Sequence, residues 1–561
     1  MKQFFTIASF VLFSLAIFAQ GVEKHVVFLK DKNNNPYSLS NPQAFLTQRS
    51  LDRRTRSGIT LDQKDLPVTP SYVTQIAATG ATVYYSLKWF NAVVVATTSA
   101  SVLSTIAALP FVDHVDQVSK KRPVHSAGEP GMMESTGILP CMVTAAVNPV
   151  VASSPSSLNY GLAYNQTHMI ALDALHNMGY TGAGMMIAQL DAGWYHVDQI
   201  TAFDSLWHNN QILGTRDFEV PGNNVFGDFM NSHGTSVLSC MGANLPGQMV
   251  GTAPRATFWL LRTEDADIEV LAEEYNWAAG AEFADSVGAD VINSSLGYTT
   301  FDNPVYNHTW ADLDGNTAPC SRAGGLAAKR GILVVNAAGN SGGSSWQYVG
   351  TPADNDSVFT IGAVDAQSFY ASFSSTGPTA DGRIKPDVSA EGSGAAIVGQ
   401  GGGVALNGYG TSFASPIMAG ALACLWQSAP SFTAEQIRNA VRTSASQATA
   451  PDSLLGFGIP NLYNAHLLLG VNLSLSKNQE SFSLSPVPFS SVTWLKSTLN
   501  TTENLQVDIL SVTGRVIHSL SVKMNSPTSL KLDDFSSLPS GLYFVRVSWN
   551  TGQQVLRAVK L

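Results

Sequence analysis

Cysteine and charge are both scarce in this chain, and each scarcity removes a class of protein. Four cysteines in 561 residues, Cys141, Cys240, Cys320 and Cys424, are too few to staple a fold of this length, so hydrophobic cores have to stabilise it. Cys240 and Cys424 sit in apolar helical contexts and read as small buried hydrophobes. Cys141 and Cys320 fall in loop-like sequence, where a disulfide is allowed but not specified by spacing. No cluster of cysteine and histidine has zinc-site spacing. Only 13% of the residues are charged while 45% are hydrophobic, which excludes a mainly disordered chain. Long lipid-type runs are also missing after the N-terminus. The nearest candidate, residues 412–428, carries Ser412, Ser415 and Pro416 at its start and reads as a buried core helix.

The N-terminus itself reads MKQFFTIASFVLFSLAIFAQ. Lys2 precedes an apolar run from Phe4 to Phe18, with small Ala19 as a cleavage point, so residues 1–19 are predicted to be a signal peptide and the protein to be exported. The length calls for about three or four domain-sized units.

The net charge of −10 conceals a split. Residues 21–125 hold 12 Lys and Arg against 7 Asp and Glu, whereas residues 126–470 hold 10 against 29. So acidic a middle argues against nucleic acid as a partner. The split also suggests that the basic N-terminal part docks on the acidic body, the alternative being ordinary solvated charge.

Patterning divides the chain further. Residues 20–125 read as a small α/β unit: KHVVFLK (24–30) and NAVVVATT (91–98) are β-branched runs, while FLTQRSLDRR (45–54) and SVLSTIAALP (101–110) are helix-like. Residues 126–157, with scattered Pro, Gly and Ser, form a linker and a natural place for a cut. From 158 to 470 apolar runs such as GMMIAQLDA, GADVINSSLG and GILVVNAAGN alternate with helical patterns, which predicts a parallel sheet with helices on both faces. Active residues of such sheets collect beyond the carboxyl ends of strands, where Asp191, Ser295 and Asn340 fall. Residues 471–561 switch to strand period, with a hairpin signal at Thr513-Gly514, and predict a small all-β sandwich.

Four segments carry chemistry, and in one order: IAQLDAGW around Asp191, SHGTSVLS around His233, VVNAAGNSG around Asn340 and YGTSFASP around Ser412. A serine hydroxyl is a weak nucleophile that needs a base within reach and an acid to orient that base. Ser412 would begin a helix that is apolar all round, with Pro416 tolerated in its first turn. Read alone, Ser412 is a helix cap, His233 a stray histidine and Asn340 a turn residue.

Together, and with the G-T-S-x-A-S-P run from Gly410 to Pro416, the four segments resemble the subtilisin-like serine proteases. The resemblance implies that Ser412 is the nucleophile, His233 the base, Asp191 the residue that orients it and Asn340 an oxyanion donor. It implies a secreted endopeptidase working through an acyl-enzyme. Ser295, Leu296 and Gly297 then resemble the edge that pairs with an extended peptide, and Gly350 the floor of a pocket for large apolar side chains. Two positions depart from the family: Ser236 stands where His is frequent, and Ala192 where Ser or Thr is usual. Without that hydroxyl the Asp191 carboxylate is expected to be held less tightly.

Residues 20–125 resemble a protease propeptide, which chaperones folding and then inhibits. The segments SPVPF (485–489), ILSVTGRVI (509–517) and LPSGLYFVRV (538–547) resemble the C-terminal sorting domain read by the type IX secretion system, with Val487 where Asn is common. That implies secretion machinery as a partner and a surface or extracellular location in a Gram-negative bacterium; the alternative is a carbohydrate- or matrix-binding appendage. No cofactor is required. Structural calcium is allowed by the family, and Asp312-Leu-Asp314-Gly has half the look of a calcium loop, though its ligands cannot be assigned. Glu264, Asp265, Asp267, Glu269, Glu273 and Glu274 are expected to rim the cleft or to be a solvated helix start.

Two rival readings stay open. Gly339-Asn-Ser341-Gly-Gly343 matches the G-x-S-x-G elbow of esterases, with Asp365 or Asp387 and His466 following in order. The other is a surface adhesin on a dead protease fold.

Overall fold

Burial on two faces, strand after strand, is what the β-branched runs encode. The computed structural model describes residues 23–119, 158–469, 482–497, 503–511, 516–524, 529–549 and 552–560. The leader over 1–19, the linker over 126–157, Cys141 and the Thr513-Gly514 turn lie outside them.

The N-terminal unit is an antiparallel sheet of β1 (Lys24–Leu29), β2 (Thr82–Leu87), β3 (Ala92–Ala96) and β4 (Val112–Gln117), in the order β2-β3-β1-β4. Its helices are α1 (Gln48–Arg56), α2 (Pro70–Ala78) and α3 (Ala100–Ala107). Side chains alternate along a strand. Val27, Val93 and Val95 therefore pack with Ile76 of α2 and Ile106 of α3. Their neighbours Val26 and Val94 face the opposite way and join a core with Trp277, Ala278 and Ala281 of the central unit. The second face is covered by another part of the chain, which is why β3 is apolar at every position.

The central sheet has eight strands: β5 (Met186–Asp191), β6 (Ile212–Asp217), β7 (Thr257–Arg262), β8 (Val291–Ser294), β9 (Leu333–Ala337), β10 (Phe359–Asp365), β11 (Val388–Val398) and β12 (Val404–Tyr409). Their order is β12-β11-β10-β9-β8-β5-β7-β6. All pairs are parallel except β11 with β12, an antiparallel edge that the run of alternating strands and helices did not foretell. Helices α4 (His233–Gly242), α5 (Ala272–Val287), α6 (Pro319–Lys329) and α7 (Thr411–Ser428) cover the sheet. Ile187, Val291, Leu333 and Val335 share one core with α4 and α7. Ala188, Leu190, Ile292 and Val334 share the other with α5 and α6. Helix α7 is buried at nearly every position, as its all-round apolarity predicts.

The C-terminal module has two antiparallel sheets. One runs β13 (Phe482–Ser485), β14 (Thr493–Ser497) and then β17 (Ser529–Leu532); the other runs β16 (Val516–Met524), β15 (Glu503–Leu510), β18 (Gly541–Trp549) and β19 (Gly552–Lys560). They enclose a core that includes Leu495, Leu505, Val507, Ile509, Phe535, Val545 and Val547. Among the described residues no helix is long and apolar enough to cross a membrane.

The charge split has a structural basis. Asp285 on α5 binds Arg53 at 2.6 Å, Arg54 at 2.9 Å and Lys88 at 2.9 Å, all from the N-terminal unit. Lys24 pairs with Glu219 at 2.6 Å, and Arg330 answers from the central unit to Asp65 at 2.8 Å. The Glu282 carboxylate accepts the backbone N–H groups of Lys88 and Trp89 at 2.7 and 2.8 Å. The basic unit is docked rather than merely solvated.

Candidate active site

Asp191 closes β5 and is fully buried. Its Oδ1 accepts the N–H of Ala192 at 2.8 Å and lies 2.8 Å from His233 Nδ1. His233 is the first residue of α4, and the glycine that follows it is there for space. A Cβ on Gly234 would stand 2.3 Å from the Gly193 carbonyl oxygen and 3.1 Å from Asp191 Cγ. Burial of the His233 ring works against its charged form. The Asp191 carboxylate, by charge and hydrogen bond, with Glu264 behind it, outweighs that and raises the imidazole pKa above its ordinary value.

The expected looseness of Asp191 is not found. Gln189, two residues earlier on the same strand and the same face, donates from Nε2 to Asp191 Oδ2 at 3.1 Å and to the Gly234 carbonyl at 2.9 Å. Nothing in the motif match pointed to Gln189; the signal was one polar residue inside the apolar run of β5. Ser236, in the family's frequent His position, donates instead to the Val398 carbonyl at 2.9 Å.

Ser412 is the second residue of α7, so its N–H is among the four that lack an intrahelical acceptor. Gly410 before the helix has φ +151°, a backbone setting that favours glycine. Phe413 lies with its ring 6.3 Å from the His233 ring, so this helix begins beside that histidine. The Ser412 hydroxyl donates at 3.4 Å to the Ser295 carbonyl. Among the described residues no hydrogen bond joins it to His233; such bonds commonly tighten only when substrate is bound.

The expectation for Pro416 needs correcting. With α7 starting at Thr411, Pro416 lies in the second turn, and its missing N–H leaves the Ser412 carbonyl without its helical donor. The Ser295 hydroxyl takes that place at 2.9 Å.

Asn340, half-buried beyond β9, accepts the Thr411 N–H at 2.7 Å and the Thr411 hydroxyl at 3.0 Å on the same Oδ1. Two donors on one oxygen assign the amide orientation and leave Nδ2 as the free end. Thr411 also accepts the Gly339 N–H at 3.1 Å.

Leu296 is buried, with its carbonyl accepting from Asn336, whereas Gly297 is exposed. Tyr298 and Thr351 exchange two backbone hydrogen bonds, which sets Gly350 beside that segment. A Cβ on Gly350 would make ordinary contacts, 3.4 Å to the Tyr298 carbonyl oxygen and 3.5 Å to Thr299. Half of the acidic stretch is neither a rim nor a solvated helix start, whereas Asp265 and Glu269 are half-buried and Asp267 is exposed. Glu264, Glu273 and Glu274 are buried: Glu264 accepts from Tyr298, Glu273 from the N–H groups of Asp265 and Val270, and Glu274 binds His308. Glu273 holds the turn into α5, while Glu264 and Glu274 tie α5 and the segment before it to Tyr298 and His308.

Asp312 and Asp314 are likewise spent on their own turn, Asp312 on Thr309 and Asp314 on Asn316 and Thr317. They do not fit a calcium loop, and among the described residues no group of three or more His, Cys, Asp or Glu could hold a metal. Cys240, Cys320 and Cys424 are free and buried, and Cys320 belongs to α6 rather than to a loop.

The esterase residues are not brought together. The Ser341 N–H is held by Ser375 at 2.9 Å, and Asp365 caps its own turn. Asp387 is locked to Lys385 and Arg442, and His466 bonds Ser428 at 2.9 Å.

Residues 182–458 match the Subtilase family. Residues 24–130 match the Peptidase S8 propeptide domain of Bacteroidota, and residues 483–560 a secretion system C-terminal sorting domain. The chain is 32% identical over 293 residues to Subtilisin E of Bacillus subtilis, which covers 52% of this chain and 66% of that relative, just under two thirds. Identity to Subtilisin of Bacillus pumilus is also 32% over 293 residues, covering 92% of that protein. Among solved structures, MycP1 from Mycobacterium smegmatis is similar at 21% identity and a TM-score of 0.42, covering 55% of this chain and 86% of that one.

Proposed function

The chain belongs to the subtilase family, and from that premise we propose that it is a serine endopeptidase that hydrolyses peptide bonds with Asp191, His233 and Ser412. Its sorting domain addresses it to the surface or the medium of a Gram-negative bacterium. The Ser412 oxygen attacks the substrate carbonyl carbon while its proton passes to His233. Asn340 Nδ2 and the Ser412 N–H receive the developing oxyanion. His233 then protonates the leaving amine, and water, deprotonated by the same ring, hydrolyses the acyl-enzyme. Asp191 keeps the proton on Nδ1 and stabilises the imidazolium.

The observation that carries the proposal is the pairing of two amide geometries around one helix start. Asn340 gives both lone-pair contacts to Thr411 and so leaves its N–H donors beside the free N–H of Ser412, at the helix end that favours negative charge.

Ser295, Leu296 and Gly297 would pair with the substrate backbone as an added strand. Gly350 would leave room for large apolar side chains on the acyl side of the cut. We place the modules at 1–19 (signal peptide), 20–125 (propeptide), 126–157 (linker), 158–470 (catalytic domain) and 471–561 (sorting domain). The docked 20–125 unit would silence the enzyme until the chain is outside. The proposed chemistry needs no cofactor.

Ser412→Ala should abolish peptide hydrolysis and labelling by a fluorophosphonate, and Ser341→Ala should keep both. An active S412A protein, or an inactive S341A one, would return the site to the esterase constellation. A wild-type chain that never labels would make it a dead scaffold.

A further inference from the structure

We propose that Gln189 is a positioning residue of this enzyme, doing from inside the sheet what a side-chain hydroxyl at position 192 would do. The inference rests on the triad proposed above.

Consider what the Asp191 carboxylate needs. To hold His233 in one tautomer it must present one oxygen to Nδ1 and must not rotate about its Cβ–Cγ bond. The Ala192 N–H and His233 both bind Oδ1, on one side of the group. Oδ2 is buried, and an unpartnered anionic oxygen there would be costly. Ala192 has no hydroxyl to offer. Gln189 meets that need because residues i and i+2 of a strand share a face, and its side chain is long enough to reach Oδ2.

The second contact gives Gln189 a wider reach. Its other N–H goes to the carbonyl of Gly234, the residue after His233 in the first turn of α4. One amide group thus ties the acid to the element that carries the base. The orientation of the amide is not arbitrary: both acceptors face Nε2, and a flip would set Oε1 against a carboxylate and a carbonyl. Gln189 Oε1 is itself buried without a hydrogen-bond partner among the described residues. A glutamine chosen only for packing in this apolar strand would be replaceable by leucine at no loss. One that leaves its own oxygen unsatisfied while both its N–H donors serve Asp191 and Gly234 is there for the donors.

The test uses the full chain, compared at equal extents of N-terminal processing. Gln189→Leu keeps the volume and removes the donors. It should lower kcat for a peptide substrate by about 10- to 100-fold, the range of one hydrogen bond to a charged group, with little change in KM. With one donor gone from the carboxylate, negative charge on Asp191 is less dispersed, so the acid limb of the pH–rate profile should move up. Adding Ala192→Ser to Gln189→Leu should recover most of the lost kcat and bring the limb back, a rescue that a purely packing role would not give. Thermal unfolding of each variant separates a misfolded protein from a mispositioned acid. If Q189L turns over at the wild-type rate with an unmoved limb, the inference is overturned. The same follows if a folded Q189L/A192S protein stays as slow as Q189L. Ser412→Ala is run beside them: a dead S412A with an unaffected Q189L overturns only the role of Gln189, whereas an active S412A overturns the triad itself.

Discussion

Asp285 is the residue whose removal should most weaken the hold of the N-terminal unit. Its carboxylate is wholly inaccessible and meets Arg53, Arg54 and Lys88, whose side chains are 1%, 2% and 10% exposed. Burial alone would raise its pKa, but the three cations overcome this and hold it well below the ordinary carboxylate range. The contact therefore stays charged at any pH at which an ordinary carboxylate is ionised. Asp285→Asn keeps the shape and strands three cations against one another, with Asp65 alone left to share Arg54. Breaking a buried ion pair by removing one partner costs about 3–5 kcal/mol, or about 10²- to 10⁴-fold in affinity. The assay is the inhibition constant of the 21–125 segment added in trans to the mature enzyme carrying either residue. Salt adds a second reading. Buried pairs are screened little, whereas Arg49 and Arg56, each more than a third exposed, reach Asp290 from the rim. Rising salt should therefore slow association and leave dissociation nearly constant, and Asp290→Asn should remove much of the salt dependence at small cost in affinity. An inhibition constant for D285N within threefold of wild type would show that the cations are resolvated in place and would refute the reasoning.

The remaining outcomes concern the site and the tail. Activity should fall as pH drops through the His233 pKa, which lies above the ordinary imidazole value because of Asp191, and Asp191→Asn should remove that raised limb together with most of kcat; a limb below the ordinary value would contradict it. Gly350→Val should shift preference on the acyl side from large to small side chains by about 1–3 kcal/mol, read as kcat/KM ratios across a peptide series; a strict preference for acidic side chains in the wild type would contradict the pocket. Deleting residues 482–561 should leave an active protease trapped behind the outer membrane, seen by fractionation with a peptide assay; normal release of the truncated chain would sink the sorting role.

Local patterning was enough to tell what kind of protein this is. Continuous apolar runs ending in Asp191, Ser295 and Asn340 are legible as parallel strands because a sheet covered on both faces has no polar side to show. The G-T-S-x-A-S-P run and the order of the four motifs are local signals, and they pointed to the proposed triad without any contact being known. The Lys and Arg excess at the N-terminus foretold a docking partner. Partnerships between side chains distant in sequence became visible only in the fold. The Glu264–Glu274 stretch looks solvated in sequence, yet its buried members bind Tyr298, His308 and nearby backbone. Pro416 looks harmless until the start of α7 shows that Ser412 needs a donor, which Ser295 supplies from 117 residues away. Ala192 looks like a loss until Gln189 is seen to share its face of β5 with Asp191. A motif records which groups the chemistry requires. Which neighbour satisfies each buried polar atom depends on how strands and helices are laid side by side, and many neighbours could have done so.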